Sequence, residues 1–199
     1  MTLFLLHDPT DLPACLTHAR GQAPNAAPVP ATGEVLVPPG YDLDRHRVTL
    51  GVGAATWDRA RAAIQAWAMF DLPWIRIHPA QPEVAVDTQV AVVARQFPLG
   101  PLGLWVRNAA RVAWVADDAE GPVRRYGFCY VTLPCHVEQG AERFQVTWDQ
   151  QTDEVAYEIL AISRPGHPLA RLTRPWVRRQ QRRFARGSLE GMRRAVVDT

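Results

Sequence analysis

RYGFCYVTLPCHVEQGAERFQVTWDQQTDEVAYEILAI, residues 125–162, holds three strand-length segments in close succession. Residues 125–133, 143–148 and 155–162 are rich in Val, Thr and aromatic residues, and turn residues such as Gln150-Gln151-Thr152-Asp153 separate them. Strands joined by links this short pair as hairpins, so the sheet they predict is antiparallel. Alternation puts Phe128, Tyr130 and Thr132 on one face, and likewise Val155, Tyr157 and Ile159. It leaves open which face points inward. Upstream, residues 45–50, 74–77, 88–95, 104–106 and 111–117 are further strand candidates. Downstream, the pattern turns helical from Pro168 to about Val197, with Pro175 predicted to kink or restart the helix and Gly187 a second weak point. A bent sheet of this length cannot leave its inner face wet. The terminal helix is the obvious cover, with Leu169, Leu172, Trp176, Val177 and Phe184 turned inward. The fold class that follows is α+β: a curved antiparallel sheet of about six to seven strands wrapped around a long C-terminal helix.

The rest of the chain fits a single domain over residues 1–199. Residues 1–40 form an N-terminal strand, a helix and a connection rich in Pro and Ala; 41–163 hold a helix and the sheet; 164–199 hold the Arg-rich helix. Residues 3–6 read as a short edge strand. Asp8-Pro9 opens a helix carrying Leu12, Cys15, Leu16 and Ala19 at helical spacing. Residues 21–40 predict a surface loop or extended connection rather than a packed element. Thr56 is placed to cap a helix over 57–70, with Ala60, Ala63, Ile64 and Trp67 on its apolar face.

Hydrophobic residues make up 47% of the 199 and charged ones 21%, an ordinary globular balance. No apolar run reaches the roughly 18–20 residues needed to cross a bilayer, and the start of the chain lacks the basic flank of a secretory signal. Three cysteines without metal-type spacing argue against a disulfide framework and for a reducing cytoplasm. All 22 basic residues other than His are Arg, ten of them between Arg164 and Arg194.

Candidate chemistry is sparse. Gly51-Val52-Gly53 lies between a strand and a helix, but it lacks the third glycine and the βαβ order of a dinucleotide site, so it reads as a tight turn. The six His are scattered, and neither a metal nor a cofactor is expected. Around the turn that carries Cys135, His136 and Glu138, the trio His136, Glu142 and Arg143 offers an imidazole, a carboxylate and a guanidinium for acid–base work or anion binding. The alternative is a hairpin on which Glu142 and Arg143 each form ion pairs along the strand while His136 faces water. Ser163 reads as a cap at the strand-to-helix junction, with Arg164 on backbone carbonyls or on a carboxylate such as Glu142. The arginines at 171, 174, 178, 179, 182, 183 and 186 suggest a basic helix face, either paired with local acids or open to phosphates of nucleic acid or anionic lipid.

Four blocks carry a family resemblance: LGVGAATWDRARAAIQAWAMF (50–70), RVAWV (111–115), GFCYVTLPCHVEQGAERF (127–144) and SRPGHPLARL (163–172). Together they resemble the family known as domain of unknown function nineteen-ninety, found in bacteria and plants. That family's pattern has glycine where this chain has Val131 and Cys135, proline at Val137 and a second acid at Ala141. The resemblance therefore implies neither a tight glycine turn there nor an essential acid pair at 141 and 142. It implies no activity. The element order separately suggests, by analogy of fold, the helix-grip architecture of START and Bet v 1-like proteins, in which a cavity lies between sheet and helix. On that analogy Trp114, Phe128, Tyr130, Phe144, Tyr157 and Ile159 from strands, and Leu172 and Trp176 from the helix, are expected to line a site for a small hydrophobic or amphipathic ligand. An enzyme using the same cavity through His136, Glu142 and Arg143, and a polyanion-binding module using the Arg-rich helix, are the competing expectations.

Overall fold

The computed structural model describes residues 4–5, 12–99, 102–134 and 136–197. His7, the Asp8-Pro9 helix start and Cys135 lie outside the described residues, as does the side chain of Leu169. The elements in chain order are β1 (Phe4–Leu5), α1 (Leu12–Ala19), β2 (Asp42–Val52), α2 (Gly53–Gln65), a 3-10 turn (Ala68–Phe70), β3 (Ile75–His78), β4 (Gln89–Leu99), β5 (Leu102–Asp118), β6 (Val123–Thr132), β7 (Glu138–Asp149), β8 (Glu154–Pro165), α3 (Pro168–Leu172) and α4 (Arg174–Val197).

All strand pairs are antiparallel, in the order β2-β8-β7-β6-β5-β4-β3, with β1 added on β5. The strands are longer than their sequence cores, and the two segments expected at 104–106 and 111–117 are one strand of 17 residues, β5. Thr56 does not cap α2. The cap position is Val52, and the Thr56 hydroxyl donates to the Val52 carbonyl from inside the first turn. Gly51 and Gly53 both have positive φ, so the tight-turn reading of Gly51-Val52-Gly53 fits the backbone.

Register sets up three rows across the concave face. Val48, Tyr157, Val146 and Tyr126 are cross-strand neighbours, as are His46, Ile159, Phe144 and Phe128, and then Asp44, Ala161, Glu142 and Tyr130. The concave face thus grades along its strands from apolar to acidic. Its apolar end is filled by α2 and the 3-10 turn, with Trp67 and Phe70 ring-packed on Phe128, Tyr130 and Phe144.

The terminal helix lies in the hollow but is divided. Pro175 has no N–H to continue the ladder from α3, so α4 restarts beyond Thr173, whose carbonyl accepts from the Val177 N–H. Leu172, expected inward, ends the short α3 before that restart and is 81% exposed. Gly187 is no weak point: α4 runs through it unbroken, and a Cβ there would lie 2.9 Å from Leu72 Cδ1.

The convex face is covered too. Residues 21–40 are irregular as expected, yet they pack: Val29 joins a buried cluster with Cys129, Val131, Ala141, Leu160 and Ile162. Their carbonyls accept from convex side chains, Val29 from Trp114 Nε1 (2.8 Å), Pro30 from Arg143 (2.6 Å) and Ala31 from Arg143 and Gln145. Two-sided cover explains why β6 is buried continuously from Tyr126 to Thr132 instead of at alternate residues.

Candidate functional site

The end of the concave face that α2 does not fill is a cavity of about 520 Å³ between the sheet and the first half of α4. Its apolar wall comes from Phe70 of the 3-10 turn, Trp74, Ile75 of β3, Val92 and Ala94 of β4, Leu104 and Val106 of β5, and Ile159 of β8. From α4, Trp176, Val177, Phe184 and Ala185 close it at helical spacing. Its polar rim combines Asp44, His46, Gln96, Asn108, Tyr130, His136, Glu138 and Glu142 with Gln180 and Gln181.

Of the residues expected to line such a space, Tyr130, Ile159 and Trp176 do. Phe128, Phe144 and Tyr157 point the same way but lie in the deeper rows, buried in the core, with the Tyr157 hydroxyl 2.7 Å from Ser188 Oγ. Trp114 is on the opposite face. A β-bulge between Val112 and Trp114 resets the alternation, so Ala113 and Trp114 both pack on the convex side. Leu172 faces solvent.

The proposed trio also divides. His136 and Glu142 both line the cavity. Arg143, one residue on along β7, must face the other way; it is 5% exposed and bonds Glu158 at 2.6 Å on the convex side. Of the ion pairs expected for Glu142 and Arg143 on the strand, Arg143 forms one, with Glu158 across the sheet, while Glu142 accepts from the Tyr130 hydroxyl. His136 is not in open water either, since it lines the cavity and its Nδ1 accepts from the Glu138 N–H at 3.0 Å. Arg164 bonds Gln139 Oε1 rather than Glu142.

Sequence reasoning missed the way β2 and α4 complete the rim. Arg178 grips Asp44 through both guanidinium Nη atoms and donates to Gln181 Oε1, and Gln181 Nε2 donates to Glu138 and to Ser163. The Tyr130 hydroxyl donates to Glu142 Oε2 at 2.6 Å. The period-2 spacing of Asp42, Asp44 and His46 was the available signal for a polar inner edge on β2. Arg174 pairs with Asp42 and Arg183 lies over the Trp74 ring, so part of the basic helix face is paired locally.

Burial governs the rim's titration. It pushes Glu138 up to about 8, with the like charge of Glu142 adding to the rise. It pushes Glu142 up to about 7 against the lowering effect of the Tyr130 hydrogen bond. It also pushes His136 down to about 4, so that ring is neutral near pH 7. Acids whose folded pKa exceeds the unfolded value bind more protons folded than unfolded, and their stabilising effect drains away as pH climbs from about 4.5 toward 8. Thermal melts of Glu138→Gln at pH 8.5 should therefore exceed those of the parent by at least ~2 °C, with the gap closing near pH 5. A gap that widens toward low pH contradicts the shifts.

Among the described residues, no group of three or more His, Cys, Asp or Glu is placed to hold a metal ion, and no helix is long and apolar enough to cross a membrane.

An antiparallel sheet gripping a long C-terminal helix defines the class as a helix-grip α+β fold. The crystal structure of Ara h 8.0201, a Bet v 1-like protein, superposes with a TM-score of 0.50 at 12% identity, over 80% of this chain and all of that one. The chain belongs to the family described as Domain of unknown function (DUF1990), whose model matches residues 25–191. Relatives named UPF0548 protein come from Deinococcus radiodurans (34% identical, covering 92% of this chain and 94% of the relative) and Dictyostelium discoideum (32%, covering 78% and 73%). A third, from Arabidopsis thaliana, is 30% identical and covers 79% of this chain and 74% of its own.

Proposed function

We propose that the protein is a non-enzymatic binder of a small amphipathic molecule, held in the cavity between sheet and α4. The observation that carries this reading is the cavity itself: about 520 Å³, apolar over most of its wall and polar along one rim. That size and division match the sites in which proteins hold drug-sized ligands. The Bet v 1-like fold supports the reading as an analogy of architecture only. An enzymatic use of the same space is favoured by one feature, a carboxyl near neutrality beside a tyrosine hydroxyl. A polyanion-binding role is weakened by the engagement of Arg174 and Arg178 with Asp42 and Asp44.

The test is titration with the neutral fluorophore N-phenyl-1-naphthylamine. The parent protein is expected to enhance its emission saturably, and Ala161→Phe, which fills the cavity from β8, to weaken binding by ~10-fold or more. Circular dichroism establishes that the variant is folded. No binding by the parent, or equal binding by the folded variant, overturns the reading.

A further inference from the structure

We propose that the cavity selects amphipathic ligands whose polar end is cationic, a protonated amine seated on Glu142 and Glu138, over ligands ending in a carboxylate. This rests on the binding role proposed above and names the class of ligand.

Charge matching favours a cation in a space that water screens poorly. The charged side chains lining the cavity are Asp44, Glu138 and Glu142; none of its lining residues is Arg, and the chain has no Lys. The adjacent guanidinium of Arg178 is occupied by both oxygens of Asp44 and by Gln181, and Arg143 faces away into its pair with Glu158. An anionic head entering here meets two carboxyls and no cation among the lining residues; the guanidinium of Arg183 is held on the Trp74 ring and on Gln180. A cationic head meets two acids that each use one oxygen, Glu142 Oε2 for Tyr130 and Glu138 Oε1 for Gln181. Charge-assisted N–H···O bonds of this kind are about twice as strong as neutral ones. The ligand's apolar remainder has Phe70, Trp74, Ile159, Trp176 and Phe184 to lie against.

Titration adds support. The two acids are hard to ionise because they are buried near each other without a full counter-charge. An ammonium group supplies that charge and displaces a proton. Asp44 and His46 face the pair from β2, Tyr130 from β6, His136 from the turn before β7 and Arg178 from α4. Of these Asp44 is neutralised by Arg178. Affinity for an amine therefore rises with pH between about 6 and 8.5, where the amine remains protonated.

The experiment is displacement of N-phenyl-1-naphthylamine at pH 8 by dodecylammonium and by dodecanoate, which share one chain and differ in the head. Dodecylammonium is expected to displace at ~10-fold lower concentration or better, and Glu138→Gln/Glu142→Gln to collapse that ratio to within ~2-fold. Calorimetry of the parent in two buffers of different ionisation enthalpy reads proton release directly, whether or not the variant folds. Equal displacement by the two amphiphiles, preference for dodecanoate, or binding without proton release overturns the proposal while the cavity reading survives. Failure of the parent to bind the fluorophore or either amphiphile overturns both.

Discussion

Gly191→Ala is expected to destabilise the protein by ~3 kcal/mol, a drop in Tm of ~6–12 °C for a chain of this size. A Cβ at position 191 would stand 2.6 Å from the Ala68 carbonyl oxygen, in the 3-10 turn on which α4 rests. That neighbour is backbone, held by hydrogen bonds from Phe70 to Trp67 and from Asp71 to Ala68, so it cannot swing aside. Alanine improves intrinsic helix propensity by ~1 kcal/mol, which the clash more than offsets. Gly187→Ala is the control, because its Cβ would meet side-chain rather than backbone atoms, the Leu72 methyls at 2.9 and 3.1 Å. Its cost should fall below ~1 kcal/mol. Urea titrations of both variants provide the measurement. If Gly191→Ala is neutral, α4 does not sit as close to the turn as described. The same substitution should weaken binding of N-phenyl-1-naphthylamine indirectly, since the helix that closes the cavity would lift from the turn that seats it.

Arg143→Ala should cost ~3–5 kcal/mol and leave the cavity untouched. Arg143 and Glu158 face each other beneath residues 30–31, with side chains only 6% and 10% exposed. Truncating the arginine strands a carboxylate in a nearly dry site and leaves the Pro30 carbonyl without its guanidinium donor. Glu158 keeps Arg45, but that side chain is 65% exposed and replaces little of what is lost. Joint replacement, Arg143→Met/Glu158→Leu, should recover more than half of the loss, since no unpaired charge remains. Chemical denaturation gives the stability. Where the folded fraction is matched, fluorophore affinity of Arg143→Ala should stay within ~2-fold of the parent. A greater loss of affinity at matched folding would return Arg143 to the cavity. Glu142→Gln, one residue away, is expected to do the opposite: no loss of stability near pH 7, where removing an acid that burial makes hard to ionise offsets a weaker bond to Tyr130, and a change in head-group preference.

The contrast between positions 142 and 143 shows how far sequence reading reaches. Strand alternation alone forbids the two side chains from sharing a face, so a trio containing both was never consistent with β7 as one regular strand. The antiparallel meander, the terminal helix and the break near Pro175 follow from local patterns: β-rich segments with short links, helical spacing, and the missing proline N–H. Other features have no local signature. The bulge that turns Trp114 outward is a property of the β5–β6 pairing. The packing of residues 21–40 depends on donors from Trp114, Arg143 and Gln145, more than 80 positions away.

Local chemistry by itself determined the kind of protein: an antiparallel sheet and a closing helix, because hydrogen-bonding period, turn residues and helical spacing act over a few residues at a time. Only the tertiary structure decided where the empty space lies and what charge edges it. Those depend on register between strands distant in sequence and on how far α2 and the 3-10 turn fill the concave face. The same register brings Asp44, Ala161, Glu142 and Tyr130 side by side, and a shift of one residue in any of those strands would turn its member of the row to the other face.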